Sequence, residues 1–414
     1  MKGENIMGEK KESSSKSMTT LLGAAFLMAT SAIGPGFLTQ TATFTGQYGA
    51  LFALVIVSTI LLDITTQLNV WSIIGVSGMR GQDIANKVFP GLGYFIACLV
   101  AIGGLVFNMG NIGGVATGLN VMFGLPIKAG CVIGGIVGIA IFLSKDAKAG
   151  MDKLTKYLGT IMILVVLFVA FKSKPPVGEA AASLGKIGEM PGLVFPLITL
   201  LGGSCGGYIT FSGAHRLLDA GYSGTKDLPK VRQSVLMGIG VSGTMRVLLF
   251  LAVLGVVTAM PEVVGSEAWK NSPPAAAFQA GAGNIGYFIF GMVICFAGVT
   301  SVIGAAFTSV SFLKTLHPFI MENEKWFVIG FITVSAIIMT VIGQPATLLV
   351  IAGSVNGLIL PITLLTILLA CRRKDIVGED YKHPTILIIL GVLVVLLTGY
   401  SGIKAVPNIL TIFK

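Results

Sequence analysis

Charged residues are scarce in this chain of 414 residues. Asp, Glu, Lys and Arg make up 11% of it and hydrophobic residues 54%, whereas a soluble globular domain carries about 25% charged residues. The mean hydropathy is +0.89. This composition excludes an ordinary soluble domain and predicts an all-α integral membrane protein.

Histidine and cysteine are also scarce, with three His and five Cys. They lie in apolar stretches or at their ends, without the short spacings of a zinc site or a disulfide framework. An intramembrane enzyme would need a nucleophile with its base, or a set of metal ligands, inside the spans, and no His-Glu-x-x-His occurs there. We therefore expect no enzyme, no catalytic residue and no cofactor.

The net charge of +10 could indicate a nucleic-acid partner. However, the Lys and Arg residues lie between apolar runs, where they set the orientation of a membrane protein. No groove-reading motif accompanies them. We expect the lipid bilayer as partner and no nucleic acid.

Eleven apolar runs are long enough to span a bilayer, which takes about 20 residues. They lie near 18–44, 49–76, 92–123, 126–144, 154–172, 192–213, 233–260, 283–313, 326–343, 346–371 and 384–406. With the N-terminus inside, 20 of the 28 Lys and Arg residues fall in cytoplasmic segments and seven outside. This bias predicts a protein of the plasma (inner) membrane with a cytoplasmic N-terminus and an external C-terminus.

Ten of the spans divide into two sets of five that enter the membrane from opposite sides, which is the arrangement of an inverted-topology repeat. The predicted organisation is a cytoplasmic tail, a first repeat, an external linker, a second repeat, and a cytoplasmic loop with the eleventh helix. The corresponding residues are 1–17, 18–172, 173–190, 191–371 and 372–414.

The first helix of each set carries a break. The first reads Gly34-Pro35-Gly36-Phe37, where Pro removes an amide donor and the glycines permit unwinding. The sixth reads Gly202-Gly203-Ser204-Cys205-Gly206-Gly207-Tyr208. Unwound backbone at mid-membrane is tolerated only against protein or a wet cavity, so both breaks predict a binding site. Free carbonyls there favour a cation and half-helix N-termini an anionic group, and the pattern does not choose between them.

The spans and breaks together resemble the natural resistance-associated macrophage protein (NRAMP) family of divalent-metal transporters, over nearly the whole chain. The family's first-helix Asp-Pro-Gly-Asn stands at Gly34-Pro35-Gly36-Phe37, and its sixth-helix Gly-Ala-Thr-Val-Met-Pro-His matches residues 202–208 without a gap. Its third-helix Asp-Leu-Ala-Glu resembles Asn108-Met109-Gly110-Asn111. The resemblance implies a LeuT-like fold of two inverted five-helix repeats plus an eleventh helix, with helices 1 and 6 broken at mid-membrane.

The residues that differ from the family pattern are those that bind metal and carry protons. The metal-binding Asp is Gly34, its Asn is Phe37, and the sixth-helix Met is Gly206. Losing a thioether removes a soft ligand, and glycines enlarge the site, so a hard, partly hydrated cation such as Mg²⁺ is expected. The metal site is predicted at Gly34, Gly36, Phe37, Gly203, Ser204 and Gly206.

The titratable groups are replaced as well, because the third-helix Asp and Glu stand at Asn108 and Asn111 and the sixth-helix His at Tyr208. Amides do not carry protons near neutral pH. The chain thus most resembles the NRAMP-related magnesium transporters, and the hypothesis is uncoupled Mg²⁺ uptake, with Mn²⁺ as a second candidate, by a monomer. The alternatives are a proton-coupled Mn²⁺/Fe²⁺ transporter and an organic-solute (amino-acid-type) symporter of the same fold.

Five further side chains are candidates for a second-line site or the ion pathway. They are Asp63, Asn108, Asn111, Tyr208 and Asn356. Asp63 and Arg246 are charges within the membrane and are candidates for function by default, although they could instead pair with each other or cap neighbouring backbone. The three Asn residues could present an amide oxygen to the ion or join helices by hydrogen bonds, and the latter is favoured for Asn356.

Overall fold

The computed structural model describes the backbone of residues 33–412 and their side chains, except those of 145–156, 158–159 and 408–412. The described residues form helices and no strand. The α-helices are α1 Pro35–Tyr48, α2 Phe52–Ser77, α3 Gly81–Val88, α4 Leu92–Phe123, α5 Ile127–Leu143, α6 Lys145–Ser173, α7 Val177–Ser183, α8 Val194–Cys205, α9 Ile209–Asp219, α10 Leu228–Ala259, α11 Glu267–Asn271, α12 Pro273–Leu313, α13 Pro318–Glu322, α14 Glu324–Ile342, α15 Pro345–Ala370, α16 Lys374–Val377 and α17 Thr385–Ile412.

Each predicted span coincides with helix in the described part of the chain. Eight helical segments there are long and apolar enough to cross a membrane, with α1 and α2 counted together as Pro35–Ser77 and α8 and α9 within Ile187–Asp219. The predicted fourth span, α5, is a shorter apolar helix, and the fifth, α6, is followed by a sharp bend. The first half of the predicted first span, 18–32, lies outside the described residues.

The structure adds detail at two segments. The predicted linker, 173–190, contains α7, which turns by 100° from the end of α6 at Pro175-Pro176. The predicted eighth span corresponds to α12, which begins at Pro273 rather than near 283. The helix continues through a kink at Gly283, where φ is 67°. Proline in the first turn of a helix is well tolerated, which explains the earlier start.

Burial differs strongly between the helices and locates the centre of the bundle. Of the most apolar 18 residues in the segment Ile187–Asp219, 83% are buried, against 22% in α14 and 28% in α17. The side chains of Ile337 and Leu396 on these two outer helices are exposed. An apolar exposed surface on a charge-poor helix faces lipid, so the broken helix α8–α9 lies at the centre and α14 and α17 at the periphery.

Small residues on α4 allow other helices to approach its backbone. A Cβ added at Gly114 would lie 2.4 Å from Cβ of Pro35, and one at Gly118 would lie 2.5 Å from the carbonyl oxygen of Gly291 on α12. Close packing through small residues is typical of membrane helices. Helix α4 thereby fixes the start of α1 next to the centre of the bundle.

Candidate functional site

The sixth span is interrupted as predicted. Helix α8 ends at Cys205, the backbone of Gly206 is extended (φ −87°, ψ 164°), and α9 begins at Ile209. Gly207 has a φ of 56°, which lies in the left-handed region that favours glycine. The break therefore requires glycine at one position for conformational reasons.

Close packing against α15 also requires these glycines. A Cβ added at Gly207 would lie 1.8 Å from Oδ1 of Asn356, and one at Gly206 would lie 2.6 Å from the Asn356 carbonyl oxygen. Nδ2 of Asn356 donates to the carbonyls of Gly103 (2.9 Å) and Ala352 (2.8 Å). Asn356 therefore joins α15 to α4 and packs against the break, which is the helix-joining role favoured for it.

The first break is described from residue 33 onward. Gly34 is extended (φ −93°, ψ −175°) and Pro35 is the first residue of α1. The amide of Leu38 donates to the carbonyl of Gly34 at 3.3 Å, which leaves Gly36 and Phe37 in the first turn, where helix amides have no intrahelical partner. The positive end of α1 therefore lies at this break.

The opposite polarity is found at the end of α8. The carbonyl of Gly202 accepts from the amide of Gly206 (3.2 Å) and that of Cys205 from the hydroxyl of Thr210. Within the described residues, no backbone amide beyond α8 donates to the carbonyls of Gly203 and Ser204. Two carbonyl oxygens are thus free at the negative end of a half-helix, which is an arrangement that attracts a cation.

Gln40 of α1 packs against Gly203 of α8. Its Nε2 donates to the Leu349 carbonyl at 2.7 Å, and its Oε1 is buried without a hydrogen-bond partner. A Cβ added at Gly203 would lie 2.2 Å from this Oε1. The expectation that Gly203 and Gly206 leave open space is therefore wrong, because Gln40 and Asn356 occupy it. Gln40 is not among the site residues predicted from the sequence, although an amide shortly after the first break could have indicated a ligand.

The structure brings Gly36, Asn111 and Tyr208 together around one phenylalanine. A Cβ added at Gly36 would lie 3.3 Å from the ring of Phe107, and that ring packs edge-to-face against Tyr208 with centroids 5.8 Å apart. Asn111 lies beside Tyr208, and neither atom of its amide has a hydrogen-bond partner. Asn108, in contrast, donates to the Ser335 hydroxyl on α14 at 3.2 Å, away from this group.

Asp63 and Arg246 are both fully buried, but they do not form an ion pair. Neither carboxylate oxygen of Asp63 has a hydrogen-bond partner, and neither do Nε and Nη2 of Arg246. Nη1 of Arg246 donates to the Thr59 hydroxyl (3.1 Å), and its guanidinium carbon lies 5.5 Å from the ring centroid of Phe37. Asp63 lies beside the Cys205 thiol at the end of α8. The two charges interact electrostatically, but among the described residues no direct ion pair joins them.

Residues 202–206 also match Gly-x-Ser-x-Gly, the pattern of a nucleophilic serine on a strand-to-helix turn. Here the pattern ends a helix, and the Ser204 hydroxyl donates to the carbonyls of Leu200 (2.9 Å) and Leu201 (3.2 Å). Among the described residues, no three His, Cys, Asp or Glu side chains come together to hold a metal. A cation at the breaks would therefore depend on carbonyl and amide oxygens beside at most two such side chains.

Comparison with known sequences gives a match over most of the chain. Residues 25–406 match the family described as natural resistance-associated macrophage protein-like. The membrane protein YcsG of Bacillus subtilis (strain 168) is 52% identical over 400 residues, covering 96% of this chain and 97% of its own. A membrane protein of Haemophilus influenzae is 51% identical over 395 residues, covering 95% and 97%.

Comparison with solved structures supports the fold. A manganese transporter of Eremococcus coleocola, in complex with an aromatic bis-isothiourea substituted compound, is 16% identical with a TM-score of 0.70, covering 94% of this chain and 86% of its own. MhsT in complex with L-phenylalanine is 17% identical with a TM-score of 0.62, covering 95% and 97%. The predicted all-helical, LeuT-like fold is confirmed, and the break in helix 1 is described from residue 33 onward.

Proposed function

Because the chain belongs to the natural resistance-associated macrophage protein-like family, we propose that it carries divalent metal cations across the membrane, with Mg²⁺ as the principal substrate. It is a multi-pass membrane transporter and not an enzyme. The site that we assign lies where α1 begins and α8 ends, and it includes Gly34, Gly36, Phe37, Gly203, Ser204 and Gly206.

The observation that carries this proposal is the pair of free carbonyls at the end of α8. The oxygens of Gly203 and Ser204 stand at the negative end of a buried half-helix, and the unpartnered Oε1 of Gln40 lies next to Gly203. Three neutral oxygens of this kind suit a hard cation. Mg²⁺ usually retains several waters, which would complete its coordination here.

The donor set supports Mg²⁺ over softer metals. The donors that we assign to this site are carbonyl and amide oxygens, and the thiol of Cys205 lies beside Asp63. Manganese and iron bind softer donors more readily than Mg²⁺ does. The manganese transport named for the Eremococcus coleocola protein is therefore the alternative that a selectivity measurement must exclude.

The proposal that transport is not coupled to protons rests on three other side chains. Asn108, Asn111 and Tyr208 stand where the family carries acidic and histidine side chains, and neither an amide nor an ordinary phenol exchanges protons near neutral pH. We propose that Mg²⁺ moves down its electrochemical gradient without a proton.

The proposed orientation has the N-terminus in the cytoplasm and the C-terminus outside the inner membrane, on the distribution of Lys and Arg in the loops. Reporter fusions test it, using an enzyme that is active only outside the membrane. Activity is expected at the C-terminus and none at the N-terminus, and the reverse pattern would overturn the orientation.

The proposed substrate is tested with purified protein in liposomes. Saturable Mg²⁺ uptake is expected, and Gln40→Leu should reduce it at least about tenfold, since a hydrogen-bonding group facing a charge contributes about 1.5–3 kcal/mol. Gln233→Leu, an exposed residue of α10, is the matched control. Saturable Mn²⁺ uptake that excludes Mg²⁺ would overturn the assignment.

A further inference from the structure

A second group of polar side chains lies on α2 and α10, beside the end of α8. We call it the polar cluster, and its members are Asp63, Gln67 and Arg246. Each is at most 1% exposed, and each carries at least one side-chain nitrogen or oxygen without a hydrogen-bond partner. Asp63 and Gln67 are four residues apart on α2, so they share one face of that helix.

Leaving these groups unpaired is costly. A buried charge without a partner destabilises a protein more than any other polar group, and a buried charge normally has a partner. Asp63 and Arg246 are near enough for their charges to interact. However, no hydrogen bond joins the Asp63 oxygens to Nε or Nη2 of Arg246. The unpaired atoms of both charges therefore leave hydrogen-bonding capacity that one ligand contacting both could satisfy.

The free atoms define the chemistry of that ligand. Thr59 accepts from Nη1 of Arg246, which leaves Nε and Nη2 free. Those two nitrogens form one edge of the guanidinium, and that edge binds a carboxylate through two parallel hydrogen bonds. The two oxygens of Asp63 accept only, so they require a hydrogen-bond donor, and an N–H or ammonium group also balances the charge.

We propose that the polar cluster binds a small organic molecule that carries a carboxylate for Arg246 and an N–H or ammonium group for Asp63, as in a zwitterionic amino acid. A divalent cation alone meets the needs of Asp63 but is repelled by Arg246. An inorganic anion alone meets the needs of Arg246 but leaves Asp63 unpaired. The amide of Gln67, which lies beside Asp63, supplies a further donor and acceptor.

This binding is separate from the proposed cation transport, because it uses side chains of α2 and α10 rather than the carbonyls of α8. Asp63 nevertheless lies beside Cys205, the last residue of α8. The two ligands would be neighbours, so the binding experiment is carried out without divalent cations.

The test measures thermal unfolding of the full-length protein in detergent with each of the twenty amino acids, acetate or methylammonium. At least one amino acid should raise the unfolding temperature with saturable dose dependence, acetate should act more weakly, and methylammonium should have no effect. Failure of all the amino acids, or a shift with acetate as tight as with the best amino acid, would overturn the proposal. A rise in unfolding temperature with chloride or sulfate equal to that with the best amino acid would also overturn the proposal.

Variants of both charges locate the binding. Arg246→Lys keeps the charge but loses the two-pronged edge, so the amino acid should bind about 10- to 100-fold more weakly. Asp63→Asn should weaken the amino acid and leave acetate unchanged. Arg232→Lys on the same helix is the control and should bind normally. Unchanged binding in Arg246→Lys would refute the site.

Competition on the wild-type protein covers the case in which a variant does not fold. A radiolabelled form of the best amino acid should be displaced by acetate and not by methylammonium or Mg²⁺. Displacement by Mg²⁺ with no displacement by acetate would place the ligand at the end of α8 and overturn the assignment to the polar cluster.

Discussion

Replacing Gly203 by alanine tests whether Gln40 fills the space next to the end of α8. The added Cβ would lie 2.2 Å from Oε1 of Gln40, and Gln40 cannot easily move away. Its Nε2 is held by the Leu349 carbonyl at 2.7 Å, and on the far side a Cβ at Gly353 would lie 2.4 Å from the same Nε2. Gln40 is therefore confined between two helices.

A contact of that length must be relieved by movement of Gln40 or of α8. Overpacking a well-packed interior by one methyl group costs about 1–3 kcal/mol, and it displaces the amide oxygen that we assign to the cation. Gly203→Ala should therefore lower the unfolding temperature in detergent and strongly reduce Mg²⁺ uptake in liposomes. Gly304→Ala on α12, where an added Cβ has no neighbour within 4 Å, is the matched control.

The double variant Gln40→Ala with Gly203→Ala separates packing from ion binding. Removing the Gln40 side chain makes room for the new methyl group, so stability should recover relative to Gly203→Ala alone. Uptake should not recover, because the amide oxygen is lost. If Gly203→Ala behaves like Gly304→Ala in both measurements, or if the double variant transports normally, the role given to Gln40 is refuted.

Two further predictions concern residues away from the ion. Asn356→Ala should lower stability by about 0.5–2 kcal/mol, measured by unfolding in detergent, because it removes a hydrogen bond between membrane helices. The order of preference among Mg²⁺, Mn²⁺ and Ca²⁺ in the uptake assay should not change in this variant. Burial, reinforced by the positive charge of Arg232, lowers the pKa of His383 to about 4, and neutral His383 donates to Asn69 and accepts from Tyr381. The contribution of His383 to stability is therefore complete above the unfolded pKa of about 6.5. It is lost as the pH falls towards 4, by at most about 1.4 kcal/mol per pH unit. His383→Gln should flatten the dependence of the unfolding free energy on pH across this range.

The helices and breaks were predictable because they depend on local properties of the sequence. Long apolar runs specify spans, and Gly34-Pro35-Gly36 and Gly206-Gly207 specify breaks through missing donors and permissive backbone. The start of α12 was misplaced because Pro273 and the kink at Gly283 continue a helix that apolarity alone places later.

The contents of the site were predictable only in part, because they depend on contacts between distant parts of the chain. Glycine at 203 and 206 was interpreted as empty space, but Gln40 and Asn356 fill it from other helices. Likewise, Asp63 and Arg246 could be identified as buried charges from the sequence, but their separation could not.

The central claim is that this transporter moves Mg²⁺ through neutral oxygen ligands without a proton. The most direct test records Mg²⁺ influx and internal pH together in the same liposomes under an inward Mg²⁺ gradient, with the membrane potential clamped. The account predicts saturable Mg²⁺ influx with no internal pH change beyond that of protein-free liposomes, and a rate that an imposed pH gradient does not alter. Acidification in fixed proportion to Mg²⁺ influx, or uptake that requires the pH gradient, would contradict it.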